Sequence, residues 1–152
     1  MERDAALRTL NAHYRAMPPV AAMRLQAVAC DGARLRLEAP LAANVNDKGC
    51  AFGGSMASAM TLAGWGLMTL RIAEAGVGAE VYVADSRLRY LKPLYSDLVA
   101  EATLEAGTDW DAVLRSLRER GRARAGLVAR IVDADGTAVA DFAGRFAAMR
   151  GG

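Results

Sequence analysis

The sequence predicts an α+β domain in which a mostly antiparallel sheet wraps around one long buried helix, and three observations lead there. Asn44 to Ala75 runs from a polar loop through a paired glycine into some two dozen residues of helical character that carry no charge before Arg71. Small and apolar residues on every side of that helix, rather than along one stripe, call for burial all round. The segments before and after it alternate apolar with polar residues and are joined by short turns, the pattern of antiparallel strands with one face on a core. The predicted order is helix, two strands, long helix, two strands, short helix, two strands.

Each element has its own signal. Asp4 to Met17 places Ala5, Leu7, Leu10 and Tyr14 near helical spacing, and Pro18 and Pro19 are expected to stop it. Met23 to Cys30 alternates, with Met23, Leu25, Ala27 and Ala29 on one face. Asp31 and Gly32 supply a turn, and Ala33 to Ala39 resumes with Leu35 and Leu37 inward. After Gly76 and Gly78, Glu80 to Leu91 puts Tyr82, Ala84, Ser86, Leu88 and Tyr90 on one face and ends at Pro93. Asp97 to Leu104 follows with Leu98, Ala100, Ala102 and Leu104 together. Thr108 with Asp111 reads as the acidic form of a capping box, opening a helix that closes at Gly121. Gly126 to Val132 and Thr137 to Met149 form a last hairpin around Asp133 to Gly136.

Composition narrows the function classes. A chain of 152 residues makes one domain that buries about two thirds of its unfolded surface; residues 1–19 form a lead-in and no repeat or linker divides the rest. A net charge of +2 gives no general attraction to nucleic acid. Cys30 and Cys50 have neither metal spacing nor a disulfide framework, which suits a reducing cytoplasm, and no metal or cofactor motif is present. The start, MERDAALRTL, lacks the apolar core of a signal peptide. Cys50 to Leu70 is uncharged over a length that can span a bilayer. It is rich in Gly, Ser, Thr and Ala, however, and the strands need it as a cover, so a membrane role is not expected.

The chemistry-bearing residues cluster where the long helix begins. Amide N–H groups at a helix start are free donors, and the helix dipole favours negative charge there. Gly53 and Gly54 let a ligand approach that backbone without a Cβ in the way. Asn46 can add a side-chain donor, while Asn44 and Asp47 flank it in the same loop. The plain alternative is that the glycines permit tight packing and that Asn44, Asn46 and Asp47 merely cap or turn the chain.

The loop NVNDKGCAFGGS, then LAGWGL at Leu62 to Leu67, DSRLRYLKP at Asp85 to Pro93 and RGRARAGL at Arg120 to Leu127 resemble the YiiD C-terminal-domain family of hotdog-fold proteins. That family is known as thioesterases by similarity, with some members associated with decarboxylation of malonyl-ACP. The likeness covers nearly all of the chain after Pro19. It implies a hotdog domain acting on acyl-CoA or acyl-ACP, with acyl carrier protein as a partner. It also implies a homodimer, or a dimer of dimers, whose sites combine the helix start of one subunit with strand or loop residues of the other.

Hydrolytic hotdog enzymes place a His before the glycine pair and a carboxylate further along the helix. Here Phe52 takes the His position, the corresponding helix position is Thr61, and the helix has no carboxylate until Glu74. Hydrolysis must then rely on Asp47 or Asp85 as general base. Decarboxylation of a malonyl thioester needs oxyanion donors and a poorly solvated place for the carboxylate, but no base. Phe52, Met56, Met60 and Trp65 around Ser55 and Thr61 can form such a place, although for each taken singly plain helix core is the favoured reading. His13, on the lead-in helix, is expected at the surface.

A second group is basic. Arg115, Arg118, Arg120, Arg122 and Arg124 run from the short helix into the next strand, and Arg87, Arg89 and Lys92 lie on the strand beside the long helix. Such a patch attracts phosphates or an acidic carrier protein. A solvated face balanced by Asp109, Asp111 and Glu119 explains it as well, and nucleic acid is disfavoured because aromatics do not interleave with the bases. Decarboxylation of a malonyl thioester is the leading expectation, thioester hydrolysis the alternative, and a non-catalytic acyl-binding module the second alternative.

Overall fold

The computed structural model describes residues 2–151. Its six strands form one antiparallel sheet, and the helix over Gly53–Glu74 lies across one face of it. The elements are α1 (Arg3–Ala16), α2 (Pro18–Met23), β1 (Gln26–Cys30), β2 (Arg34–Ala39), α3 (Gly53–Glu74), β3 (Ala79–Tyr90), β4 (Leu98–Leu104), α4 (Trp110–Arg120), β5 (Arg122–Val132) and β6 (Ala138–Arg150). The order across the sheet is β1-β2-β4-β5-β6-β3. This is the expected hotdog layout, with β3 brought to an edge beside β6.

The long helix is covered from two sides. Ala59, Met60, Ala63, Leu67 and Met68 have no exposed surface, and α1 closes over the side away from the sheet. There the buried Tyr14 hydroxyl donates to the Leu62 carbonyl at 2.8 Å, and burial holds its phenol pKa well above the ordinary value. Glycine inside a helix is costly, and Gly64 and Gly66 show why it is kept. A Cβ on Gly64 would stand 2.9 Å from the Phe146 ring, and one on Gly66 would stand 2.5 Å from the Tyr14 hydroxyl and 2.8 Å from Leu35. No helix among the described residues is long and apolar enough to cross a membrane.

The two prolines do not simply end the first helix. Pro18 and Pro19 occupy the opening turn of α2, where a missing N–H costs nothing. The strand predicted from Met23 therefore begins at Gln26. Two bulges reset faces that simple alternation assigns. Val28 is the extra residue between Ala27 and Ala29 in the pairing with β2, and it leaves Ala29 exposed rather than beside Ala27. Ala84 is the extra residue on β3, so Val81 and Val83 share a face with Ser86, Leu88 and Tyr90, while Tyr82 turns outward.

Turn and cap chemistry is also shifted by one residue in two places. The first hairpin closes by the Asp31 N–H to Arg34, around Gly32 and Ala33, with the Asp31 carboxylate accepting from both Ala33 and Arg34. The cap of α4 is Asp109, accepting from the Ala112 amide at 3.1 Å, while the Thr108 hydroxyl donates back to the Glu105 carbonyl. An Asp at the N-cap meets the same orphan amides that Thr108 was expected to meet. At the other end Gly121 closes α4 with φ 74°, and β5 starts immediately, four residues before the predicted Gly126.

Candidate active site

A turn over Asn46 to Gly49 delivers the chain to α3. The Asn46 N–H donates to the Cys50 carbonyl at 2.8 Å, and Gly49 supplies the positive φ that the turn requires. The Asn46 side chain holds this turn from within. Its Oδ1 accepts from the amides of Lys48 at 2.8 Å and Cys50 at 3.2 Å, and its Nδ2 faces Cys50 Sγ at 3.2 Å. A thiol is a weak acceptor, so the Nδ2 donor can exchange that contact for a stronger oxygen.

Asn44 has a different position. It is 3 % exposed, its Nδ2 donates to the carbonyls of Met23 and Pro40, and its own carbonyl accepts from the Phe52 amide at 2.7 Å. Its side chain ties the loop to the segments before it, inside the protein; its Oδ1 has no partner among the described residues. Asp47 stands at the exposed tip of the turn, paired with its neighbour Lys48.

The first turn of α3 has no side-chain cap, and the first helical bond from its start runs from the Met56 amide to the Phe52 carbonyl. The amides of Gly53, Gly54 and Ser55 therefore have no acceptor among the described residues. Phe52 folds back over this turn: a Cβ on Gly54 would lie 2.5 Å from its ring. From the sheet side the Tyr90 hydroxyl donates to the Gly53 carbonyl at 2.9 Å. Beside Tyr90 opens a cleft of about 380 Å³ lined by Cys50, Gly53, Met56, Tyr90, Leu91 and Lys92, among others. Lys92 at its rim pairs with Asp133 at 3.0 Å and, with the Thr137 amide, holds the Asp133 carboxyl below its ordinary range.

The structure thus brings Gly53 and Lys92 into the lining of one cleft, sets Asn46 against its Cys50 wall, and leaves Phe52, Gly54 and the buried Ser55 on the adjoining helix start. It separates the other candidates. Thr61 lies two turns further along, about 12 Å by helical rise, and its hydroxyl donates to the Ala57 carbonyl of its own helix. Met60 is core, and Trp65 donates to the Val81 carbonyl and packs on Tyr14 and the exposed His13, so neither lines the cleft. Arg89 points to the opposite sheet face, held by Asp141. Arg120 and Arg122 sit by the far end of α3, about 30 Å from Gly53 within one chain, in a hollow of about 510 Å³ with Ser116, Arg124 and Met149. Asp85 pairs with Arg145 on the outer sheet face, which places it away from the cleft.

Sequence periodicity missed Tyr90 and Cys50. Alternation places Tyr90 on a sheet face without a role, and only the meeting of β3 with the helix start sets its hydroxyl on the Gly53 carbonyl. The cleft's lining contains no carboxylate among the described residues.

The chain is similar in structure to a protein of unknown function from Chlorobaculum tepidum, with TM-score 0.91 and 26% identity over 98% of this chain and 97% of that one. A thioesterase by its description from Shewanella oneidensis matches with TM-score 0.86 and 27% identity over 96% and 99% of the two chains. A Haemophilus influenzae thioesterase shares the fold at 15% identity, TM-score 0.76, over 95% and 90%. The family model for the YiiD C-terminal domain, described as "Putative thioesterase", matches residues 7–150. With nearly its whole length matched and the hotdog sheet and helix in place, this chain belongs to the YiiD C-terminal-domain family.

Proposed function

We propose that this chain decarboxylates a malonyl thioester, carried on ACP or CoA, to the acetyl thioester. The observation that carries this reading is the first turn of α3: its three amides lack an acceptor among the described residues, and Gly53, the first of them, lines a cleft that has no carboxylate in its lining. In the reaction the bond between Cα and the carboxylate carbon breaks, CO₂ leaves, and the electron pair moves into the thioester to give an enolate. That oxyanion is the species helix-start donors stabilise, and removal of one such donor typically lowers the rate by about 10² to 10³. The enolate carbon then takes a proton from solvent to complete the acetyl group. Asn46 Nδ2, released from Cys50 Sγ, is the candidate side-chain donor.

The working unit is proposed to be a homodimer formed through β3. This strand is 12 residues long and hydrogen-bonds only to β6, leaving Tyr82, Val83 and Tyr90 about half exposed along an open edge. Unpaired edges of that length are normally covered. Antiparallel pairing of two such edges would set the start of one β3, with the arginines 120, 122 and 124 two strands beyond it, alongside the Tyr90 end of the other. Arg122 and Arg124 face outward there, in register with Met149 and Ala147, so a phosphate-bearing carrier arm in the cleft would have to round the sheet edge to meet them.

Hydrolysis is the second reading, favoured by the family description and by the Shewanella relative. The same pairing would bring the Glu80 end of one strand to the other's helix start, a route for a carboxylate to reach the thioester. Incubation with malonyl-ACP, malonyl-CoA and a range of acyl-CoAs, followed by mass spectrometry, separates the readings. Acetyl thioester with CO₂ supports decarboxylation; free thiol with free acid replaces it by hydrolysis; unchanged substrates leave an acyl-binding module. Sedimentation at micromolar concentration tests the dimer, and a monomer would remove the shared site.

A further inference from the structure

The sheet face turned away from α3 carries a larger hollow, of about 680 Å³. Its floor is one register row of small side chains: Thr103 of β4 opposite Val128 of β5, and Val128 opposite Ala143 of β6. The row ends in Arg34 on β2 and Arg87 on β3. Beside it runs a ladder of alternating charge in which Arg36, Glu101, Arg130, Asp141 and Arg89 each stand opposite the next across five strands. Cross-strand pairs of opposite sign favour this register.

The two acids of the hollow are already occupied. Glu101 accepts from Arg34 at 3.2 Å, and Asp141 is held by both forks of Arg89, at 3.1 and 2.7 Å. Arg89 keeps the Asp141 carboxyl below its ordinary range, with a smaller contribution from Arg87. Among the described residues, Arg87 and Arg130 themselves make no side-chain hydrogen bond or ion pair. Four arginines against two acids leave the hollow with two cations unmatched.

We propose that this outer hollow binds a small phosphate ester, its phosphate bridging Arg87 and Arg130 and its apolar body resting on Val128 and Ala143. The guanidinium fork matches phosphate oxygens in bidentate fashion, and the volume is that of an ordinary small-molecule site. The two arginines stand two strands apart and one row apart, so their Cα atoms are about 12 Å from each other, a span two extended side chains can close on one phosphate. The sheet itself lies between this hollow and the α3 cleft, so the ligand does not touch a thioester bound there. Edge pairing through β3 leaves this face open.

Amide chemical shifts of isotope-labelled protein, titrated with phenyl phosphate and separately with inorganic phosphate, test the site. The expected result is perturbation centred on Thr103, Val128 and Ala143, with phenyl phosphate held about tenfold more tightly than inorganic phosphate. The double variant R87A/R130A is expected to weaken phenyl phosphate by more than about tenfold, and R87K/R130K to weaken it less. Both side chains are exposed, and an unchanged melting temperature verifies that the variants fold. Perturbation confined to Arg120 to Arg124, equal affinity for the two phosphates, or binding that survives R87A/R130A would each overturn the proposal. None of these readouts depends on which reaction the α3 cleft performs.

Discussion

The hydroxyl of Tyr90 donates to the carbonyl of Gly53 at 2.9 Å, pinning the end of β3 to the first turn of α3. Because a peptide unit is planar, fixing the Gly53 C=O also fixes the direction of the Gly54 N–H on the same unit, one of the unpaired donors. Tyr90→Phe removes an exposed hydrogen bond worth about 1 kcal/mol and is expected to leave the fold intact. The thioester reaction should lose about tenfold in kcat with KM little changed. Equal losses in KM alone would make Tyr90 a binding contact rather than a positioning residue.

Asn46 has two separable roles. Its Oδ1 holds the turn through Lys48 and Cys50, whereas its Nδ2 has only a thiol for company. Asn46→Asp keeps the acceptor and removes the donor; it is expected to preserve the melting temperature while lowering kcat by about 10² or more. Asn46→Ala should lower both. Retained activity in Asn46→Asp would assign the side chain to the turn alone.

Gly54 leaves room for the Phe52 ring. Gly54→Ala gains about 1 kcal/mol of helix propensity but drives a Cβ into that ring, so Phe52 must leave the helix start. Activity is expected to change by more than about tenfold in Gly54→Ala, and by much less when Phe52→Ala is already present, a coupling that a double-mutant cycle reads directly. Additive effects would show that the ring has no part in shaping the site.

Tyr14 links stability to alkaline pH. Burial raises its pKa in the folded chain above the unfolded value near 10, so its contribution is fully present below that unfolded pKa. It is lost as pH rises from there through the folded pKa, because only the unfolded chain ionises over that window. Tyr14→Phe is expected to be less stable at neutral pH by about 1 kcal/mol, from the lost bond to Leu62, and to show a flatter decline above pH 10. Parallel alkaline curves for the two proteins would remove Tyr14 as the group responsible.

The sequence by itself determined the long helix, its apolar character, the first and last hairpins and the Asn46 to Ser55 loop that enters the helix. These are local properties: uncharged small residues over many turns, period-two alternation, and turn residues at hairpin ends. Tertiary structure decided what one-dimensional periodicity cannot carry. Burial all round gave way to a half-exposed stripe through Ala57, Thr61, Leu62 and Trp65, and the strand after the helix pairs with β6 rather than with the strand that follows it. A single extra residue resets which side chains share a face: Val28 takes Ala29 off the face of Ala27, and Ala84 puts Val81 and Val83, in place of Tyr82, on the face of Ser86, Leu88 and Tyr90. The arginines of α4 and β5 look adjacent to a substrate site in composition, yet the length of α3 holds them at the other end of the chain's fold. Asn46 and Asn44 are the same residue two positions apart. Only packing makes one a buried tie to Met23 and Pro40 and leaves the other with a donor beside the cleft.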